Sequence, residues 1–265
     1  MQNAMRTSKS TRRSSLSHKK RFTIPEGWGQ VSQQQLQHLL SLMSLYGDHP
    51  EGMLQVKTWA LCYLCGFEVI KKTGSCWLCR GKDMLDYFLL DSALLPWLLD
   101  KLEWLEHPEE MTVHLEVEGY TSAHQWLRDV PFGEYLVLEN YYQTYLNSKD
   151  ADILRRMFAI LYHPKGEQRQ VEDYMLLSVF LWYTAIKQYY SQVFTHFLKP
   201  IPSGQQTVTP KTQREMVNAQ IRLLTKGDIT KNQAVMNVNA WDAMTELDAL
   251  AMDNEEFKRK YGKHG

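Results

Sequence analysis

The sequence predicts a mainly α-helical protein with a small antiparallel β-meander, a helical bundle organised on a central helical hairpin. Three observations predict it. From Phe132 to Pro164 apolar residues recur at steps of three and four on both sides of one polar break, the period of an α-helix. Between residues 67 and 90 short runs rich in β-branched and aromatic residues flank a Gly-bearing turn, a hairpin signal. The apolar fraction is 44% and includes eight Trp, enough for a packed core.

Residues 1–21 hold Arg6, Lys9, Arg12, Arg13, Lys19, Lys20 and Arg21 and no acid. With almost nothing apolar, this stretch cannot offset its ordering entropy, so it reads as a disordered basic arm. Such an arm either touches nucleic acid or an acidic partner, or is a plain solvated tail. The formal net charge of the chain is zero, leaving 23 basic against 30 acidic residues beyond the arm, a net of −7. That mildly acidic body is no obvious nucleic-acid binder.

A mostly helical core region is expected over 22–200. After the turn Gly27-Trp28-Gly29, Ser32 caps a helix running to Leu45, with Leu36, Leu39, Leu40 and Met43 inward. A second helix, Gly52 to Leu64, stops at Gly66. Strand-like runs follow at Phe67–Lys71, Ser75–Arg80 and Tyr87–Leu90, the first two joined by Lys72-Thr73-Gly74. Leu94 to Leu105 reads as a helix with Pro96 in its first turn. Val113, Leu115 and Val117 alternate with polar residues, as in a half-buried strand or an extended linker.

In the central hairpin, Phe132, Tyr135, Leu138, Tyr142 and Tyr145 line the first helix. Ser148 or Asp150 opens the second, whose stripe is Ile153, Leu154, Met157, Phe158, Leu161 and Tyr162. The short join makes the helices antiparallel neighbours. Tyr141, Tyr142 and Tyr145 are then expected to stack beside Phe158 and Tyr162, as core or as an aromatic partner-binding surface. Val171 to Leu198 is a long, nearly all-round apolar helix. Residues 201–212, with Pro202, Gly204 and Pro210, read as a linker. A C-terminal helical region, 213–265, begins at Gln213 and ends with Trp241, Met244, Leu247, Leu250 and Phe257 on one face.

The most specific local pattern is Cys62-x2-Cys65-x10-Cys76-x2-Cys79. Four thiolates can surround Zn²⁺ tetrahedrally, and two CxxC turns about a hairpin make a zinc ribbon. With the basic arm, that would make a nucleic-acid-binding protein. Against it, Cys62 and Cys65 end an amphipathic helix. Tyr63-Leu64 and Trp77-Leu78 suit a core, and Cys76 and Cys79 in a strand point to opposite faces. The other reading is four unliganded core cysteines with no cofactor.

The sequence contains no glycine-rich phosphate loop, no HExxH and no GxSxG. Glu134 and Glu139 sit five apart on the central helix, too divergent for an acid–base pair. The expectation is a protein that is not an enzyme. The N-terminus carries no apolar run of the secretory kind. The longest apolar run, Met175 to Ile186, is too short to span a bilayer. A cytoplasmic, reducing location without membrane contact is expected.

The segment FGEYLVLENYYQTYLNSKDADILRRMFAILYHP, preceded by RDVP, resembles a family of uncharacterised proteins encoded in phages and prophages of gut Bacteroidetes-type bacteria. The matching positions are Phe132, Gly133, Glu134, Tyr135, Tyr142, Tyr145, Asp152, Leu154, Ala159, Ile160, Leu161, Tyr162 and Pro164. FTIPEGWGQVSQQQLQHLL at 22–40 is similar to that family's start. The resemblance carries packing residues and no catalytic set. It implies a virion-assembly role, of the tail-assembly chaperone-like kind, with protein partners such as phage tail or tape-measure proteins.

Overall fold

The computed structural model describes residues 23–47, 49, 51–82, 86–167, 170–199 and 210–261. The basic arm at 1–21 and residues 201–209 of the expected linker lie outside the described residues.

Helix α1 spans Gln33–Tyr46. The Ser32 hydroxyl accepts from the Gln35 N–H at 3.2 Å, and the Gln35 side chain accepts from the Ser32 N–H at 2.8 Å. This reciprocal cap satisfies two open donors at the helix start. Leu36, Leu39 and Leu40 are wholly buried, each contributing about 1.5–3 kcal/mol. Helix α2, Gly52–Cys65, packs on α1 and ends at Gly66 with φ +65°. A left-handed residue there favours glycine.

The meander follows as β1 (Phe67–Thr73), β2 (Cys76–Gly81) and β3 (Tyr87–Asp91), antiparallel in the order β1-β2-β3. Thr73 pairs with Cys76, so the turn is Gly74-Ser75 and begins later than the composition suggests. A bulge falls between Val69 and Lys71.

The helix expected over Leu94–Leu105 is broken. A 3-10 turn at Ser92–Leu94 leads into α3, Leu95–Asp100, and a second 3-10 turn spans Glu103–Glu106. A continuous helix would aim Trp104 away from the face carrying Leu98, Leu102 and Leu105. The break buries all four, and the Trp104 indole N–H donates to the Pro25 carbonyl at 2.9 Å.

The segment with Val113, Leu115 and Val117 is extended but belongs to no strand. The Gln33 side chain substitutes for a partner strand, donating to the His114 carbonyl at 3.0 Å and accepting from the Glu116 N–H at 2.8 Å. Aromatic donors secure this segment and residues 125–126. Tyr162 donates to the Leu115 carbonyl, Trp182 to Gln125 and Tyr190 to Trp126, at 2.6, 3.0 and 3.0 Å.

The hairpin is α4 (Phe132–Ser148) and α5 (Ala151–Leu161), packed together. Lys149 takes φ +55° at the close of α4, and Asp150 accepts from the Asp152 N–H at 2.9 Å. Beyond α5 the chain forms β5, Tyr162–Pro164, antiparallel to β4, Tyr120–Ser122. Helix α6, Asp173–Val193, packs on α1 and α5 and buries Val179, Trp182, Tyr183 and Ile186 completely. It ends five residues before the expected Leu198 because Asp248 accepts the N–H groups of His196 and Phe197, at 2.8 and 2.9 Å.

The C-terminal helices are α7 (Pro210–Thr225), α8 (Asn232–Met236) and α9 (Ala240–Tyr261). Helix α7 starts at Pro210, where a missing N–H costs nothing, so residues 210–212 are helical and not linker. On α9, Ala240, Ala243, Met244 and Leu247 are buried, whereas Phe257, expected on that face, is 63% exposed. The Phe132 N–H donates to the Val238 carbonyl at 2.7 Å, and the Ala240 N–H to the Val130 carbonyl at 2.8 Å. No described helix is long and apolar enough to cross a membrane.

Candidate functional site

The cysteine pattern divides three and one: Cys79 lies within electrostatic reach of Cys62 and Cys62 of Cys65, all three at the core, and Cys76 lies apart. Cys62 and Cys65 occupy the last turn of α2. On β2, Cys79 pairs with Val69 and Phe88 and is buried, while Cys76 pairs with Thr73 and Asp91. Three positions apart on one strand, the two thiols lie on opposite faces of the sheet. Burial pushes the Cys62 thiol up to about 11 and that of Cys65 to about 12, each raised further by a neighbouring thiol. As they stand these groups remain protonated at neutral pH. Among the described residues no group of three or more His, Cys, Asp or Glu side chains converges to hold a metal ion.

The three tyrosines proposed as a recognition surface divide differently. Tyr142 is buried, and Tyr141 and Tyr145 are half-buried. Their ring contacts are not those expected from the hairpin alone. Tyr142 stacks on Phe180 and leans on Tyr183, and Tyr145 packs on Phe180, all on α6. Phe158 instead stacks on Tyr162 and meets Tyr120 edge-on. The third helix takes the place given to α5, because α6 covers that flank of α4.

A polar cluster sits on the seam between α4 and α6. The Lys187 ammonium donates to both oxygens of Glu139, at 2.6 and 2.7 Å. Gln143 donates to the same carboxylate at 3.0 Å, and the Tyr183 hydroxyl donates to it at 3.3 Å. Burial first, then the Glu139 charge, holds the phenols of Tyr135 and Tyr183 well above their usual range. Tyr183 therefore stays protonated and able to donate. The carboxylate accepts four hydrogen bonds, two on each oxygen, and so holds these side chains in register.

Glu139, Gln143 and Lys187 of this cluster line one wall of a cavity of about 580 Å³. Helix α7 rests on α8 and α9, leaving this space between itself and the α4–α6 seam. Leu136, Phe197, Val217, Leu223 and Met244 supply apolar wall. Gln220 of α7 lines it too, and its amide oxygen is buried without a hydrogen-bond partner. Leaving such an acceptor unpaired costs about 1–3 kcal/mol.

Sequence reasoning named Glu139 only as a diverging acid and missed Lys187 and Gln220. One signal was available: Lys187 is the only charge between Tyr174 and Val193 in an otherwise apolar helix. A lone buried-face charge calls for a partner. Nothing in the sequence marks Gln220, since its environment depends on how α7 is placed.

A second feature lies at the other end of the chain. Trp59 on α2 and Trp97 on α3 are 54% and 59% exposed, and the two helices pack on each other. Leu54 on α2 and Leu94 in the 3-10 turn before α3 are also more than half exposed. Comparison of the chain with protein-family models, with curated proteins and with solved structures gives no match in any of the three.

Proposed function

We propose that this protein is a non-enzymatic assembly or interaction factor of the phage and prophage kind, acting by binding protein partners as a tail-assembly chaperone does. The observation that carries the reading is the pair Trp59 and Trp97, each more than half exposed on two packed helices. An exposed apolar patch marks an interaction site, and tryptophan is among the residues most enriched at interface hot spots. Lys101 holds its ammonium 5.4 Å from the Trp97 ring centre, a cation beside an apolar anchor. The resemblance of the hairpin and of residues 22–40 to phage-encoded proteins supplies the class of partner.

The test is co-expression of the full chain with the tail and tape-measure proteins of the same phage, followed by capture and mass analysis. Capture of a tail protein, lost in a Trp59→Ser/Trp97→Ser variant that keeps its helical content and unfolding temperature, is the expected result. Failure to capture any of them, or capture undiminished in the variant, would end the reading.

A further inference from the structure

We propose that the basic arm, residues 1–21, docks on the face that carries Trp59 and Trp97 and covers it, with its Arg and Lys side chains set against the acids that border the two rings. This docking shares its surface with the protein-binding reading and goes beyond it. It is measured without any partner, so the two can fail separately.

The face selects the sign of its occupant. Residues 91–110, which hold α3 and the 3-10 turns around it, carry six acids and one base. Asp100 lies three positions after Trp97, on the same side of α3. Asp100, Glu103 and Glu110 are exposed and enter no ion pair among the described residues. Lys57 pairs with Glu106 and so holds the helix of Trp59 against this acidic stretch. Open indole faces beside unpaired carboxylates suit a segment rich in Arg and Lys. A guanidinium lies flat on an indole, and its N–H groups reach a carboxylate.

The chain supplies such a segment next to the face. Residues 1–21 hold seven Arg and Lys and no acid. Their point of entry is clamped among the acids. The Trp104 indole donates to the Pro25 carbonyl at 2.9 Å, and the Trp28 indole to the His107 carbonyl at 3.1 Å. Trp104 follows Trp97 by seven residues, a separation of less than about 25 Å, whereas an arm of this length extends to about 70 Å. Tethering also gives the arm an effective concentration of about millimolar at the face, which favours docking within one chain over docking between copies.

The experiment reads the indole N–H signals of the full chain by NMR, with a neutral gadolinium chelate as the broadening agent. Trp59, Trp97 and Trp104 are assigned by Trp→Phe substitution. In Arg12→Gln/Arg13→Gln/Lys19→Gln/Lys20→Gln, or in the unaltered chain at about 1 M sodium chloride, broadening at Trp59 and Trp97 is expected to rise about twofold while Trp104 is unchanged. Asp100→Asn/Glu103→Gln/Glu110→Gln is expected to give the same rise. Tenfold dilution is expected to leave every signal as it was. Equal broadening with and without the arm charges, or an equal rise at Trp104, would overturn the proposal. So would an acid variant without effect, or protection lost on dilution, which would assign the contact to the arm of a second copy.

Discussion

Glu139 and Lys187 approach to 2.6 Å across the α4–α6 seam, 48 residues apart in the chain and set among aromatic rings. The Lys187 ammonium also lies 5.5 Å from the centre of the Tyr142 ring. The pair therefore joins the hairpin to the third helix by charge and by packing together.

Lys187→Met removes the cation and leaves Glu139 half-buried with two neutral donors. Glu139→Gln leaves the ammonium facing an amide. Each is expected to cost about 1–3 kcal/mol in urea unfolding. The double variant should cost less than the sum, with a coupling of about 1 kcal/mol. Strict additivity would mean that the two side chains do not sense each other.

Alkaline pH should loosen the fold in a defined window. Cys62 and Cys65 are raised from 9.0 to about 11 and about 12 by burial, and the phenols of Tyr135, Tyr162, Tyr183 and Tyr190 are raised above 10.0 chiefly by burial. Above their ordinary values the unfolded chain loses protons that the folded chain keeps, so the unfolded state binds fewer and stability falls as pH rises. The stabilising contribution is whole below about pH 9 and declines from there through the folded-state values. Urea midpoints measured at about pH 7, 9.5 and 10.5 under reductant should fall in that order. Cys62→Ala/Cys65→Ala should flatten the early part of the decline.

The thiols give a third expectation. Because Cys76 and Cys79 leave β2 on opposite faces, the purified chain should carry well under one zinc, and Cys62 and Cys65 should react slowly with thiol reagents at neutral pH. Metal analysis and reagent kinetics check this. One zinc per chain, released by Cys76→Ser, would mean that β2 is rebuilt to aim both thiols the same way. It would favour the zinc-ribbon, nucleic-acid-binding alternative.

The sequence was most legible where one element alone decides the outcome. The Ser32 cap, the Gly66 stop and the stripe Leu154–Met157–Phe158–Leu161 depend on neighbours within a turn or two, and each was readable as local chemistry. Errors arose where a distant group intervenes. Asp248, 55 residues beyond Val193, ends α6 early by taking two backbone donors. Trp104 breaks a helix to reach the Pro25 carbonyl, and β4 and β5 are three residues each, too short for a period of two to register. The candidate cavity was illegible for the same reason: Glu139, Lys187 and Gln220 belong to three helices whose mutual placement no local pattern encodes.

The backbone exchange between Val130–Phe132 and Val238–Ala240 has a consequence for the whole polypeptide. A stop codon or a proteolytic nick that removes everything after Lys231 would strip two peptide groups at the mouth of the hairpin of their complements and bare the flank of α4 that α8 and α9 shelter. The tail is thus a brace for the middle of the molecule, and trimming it acts on segments a hundred residues upstream.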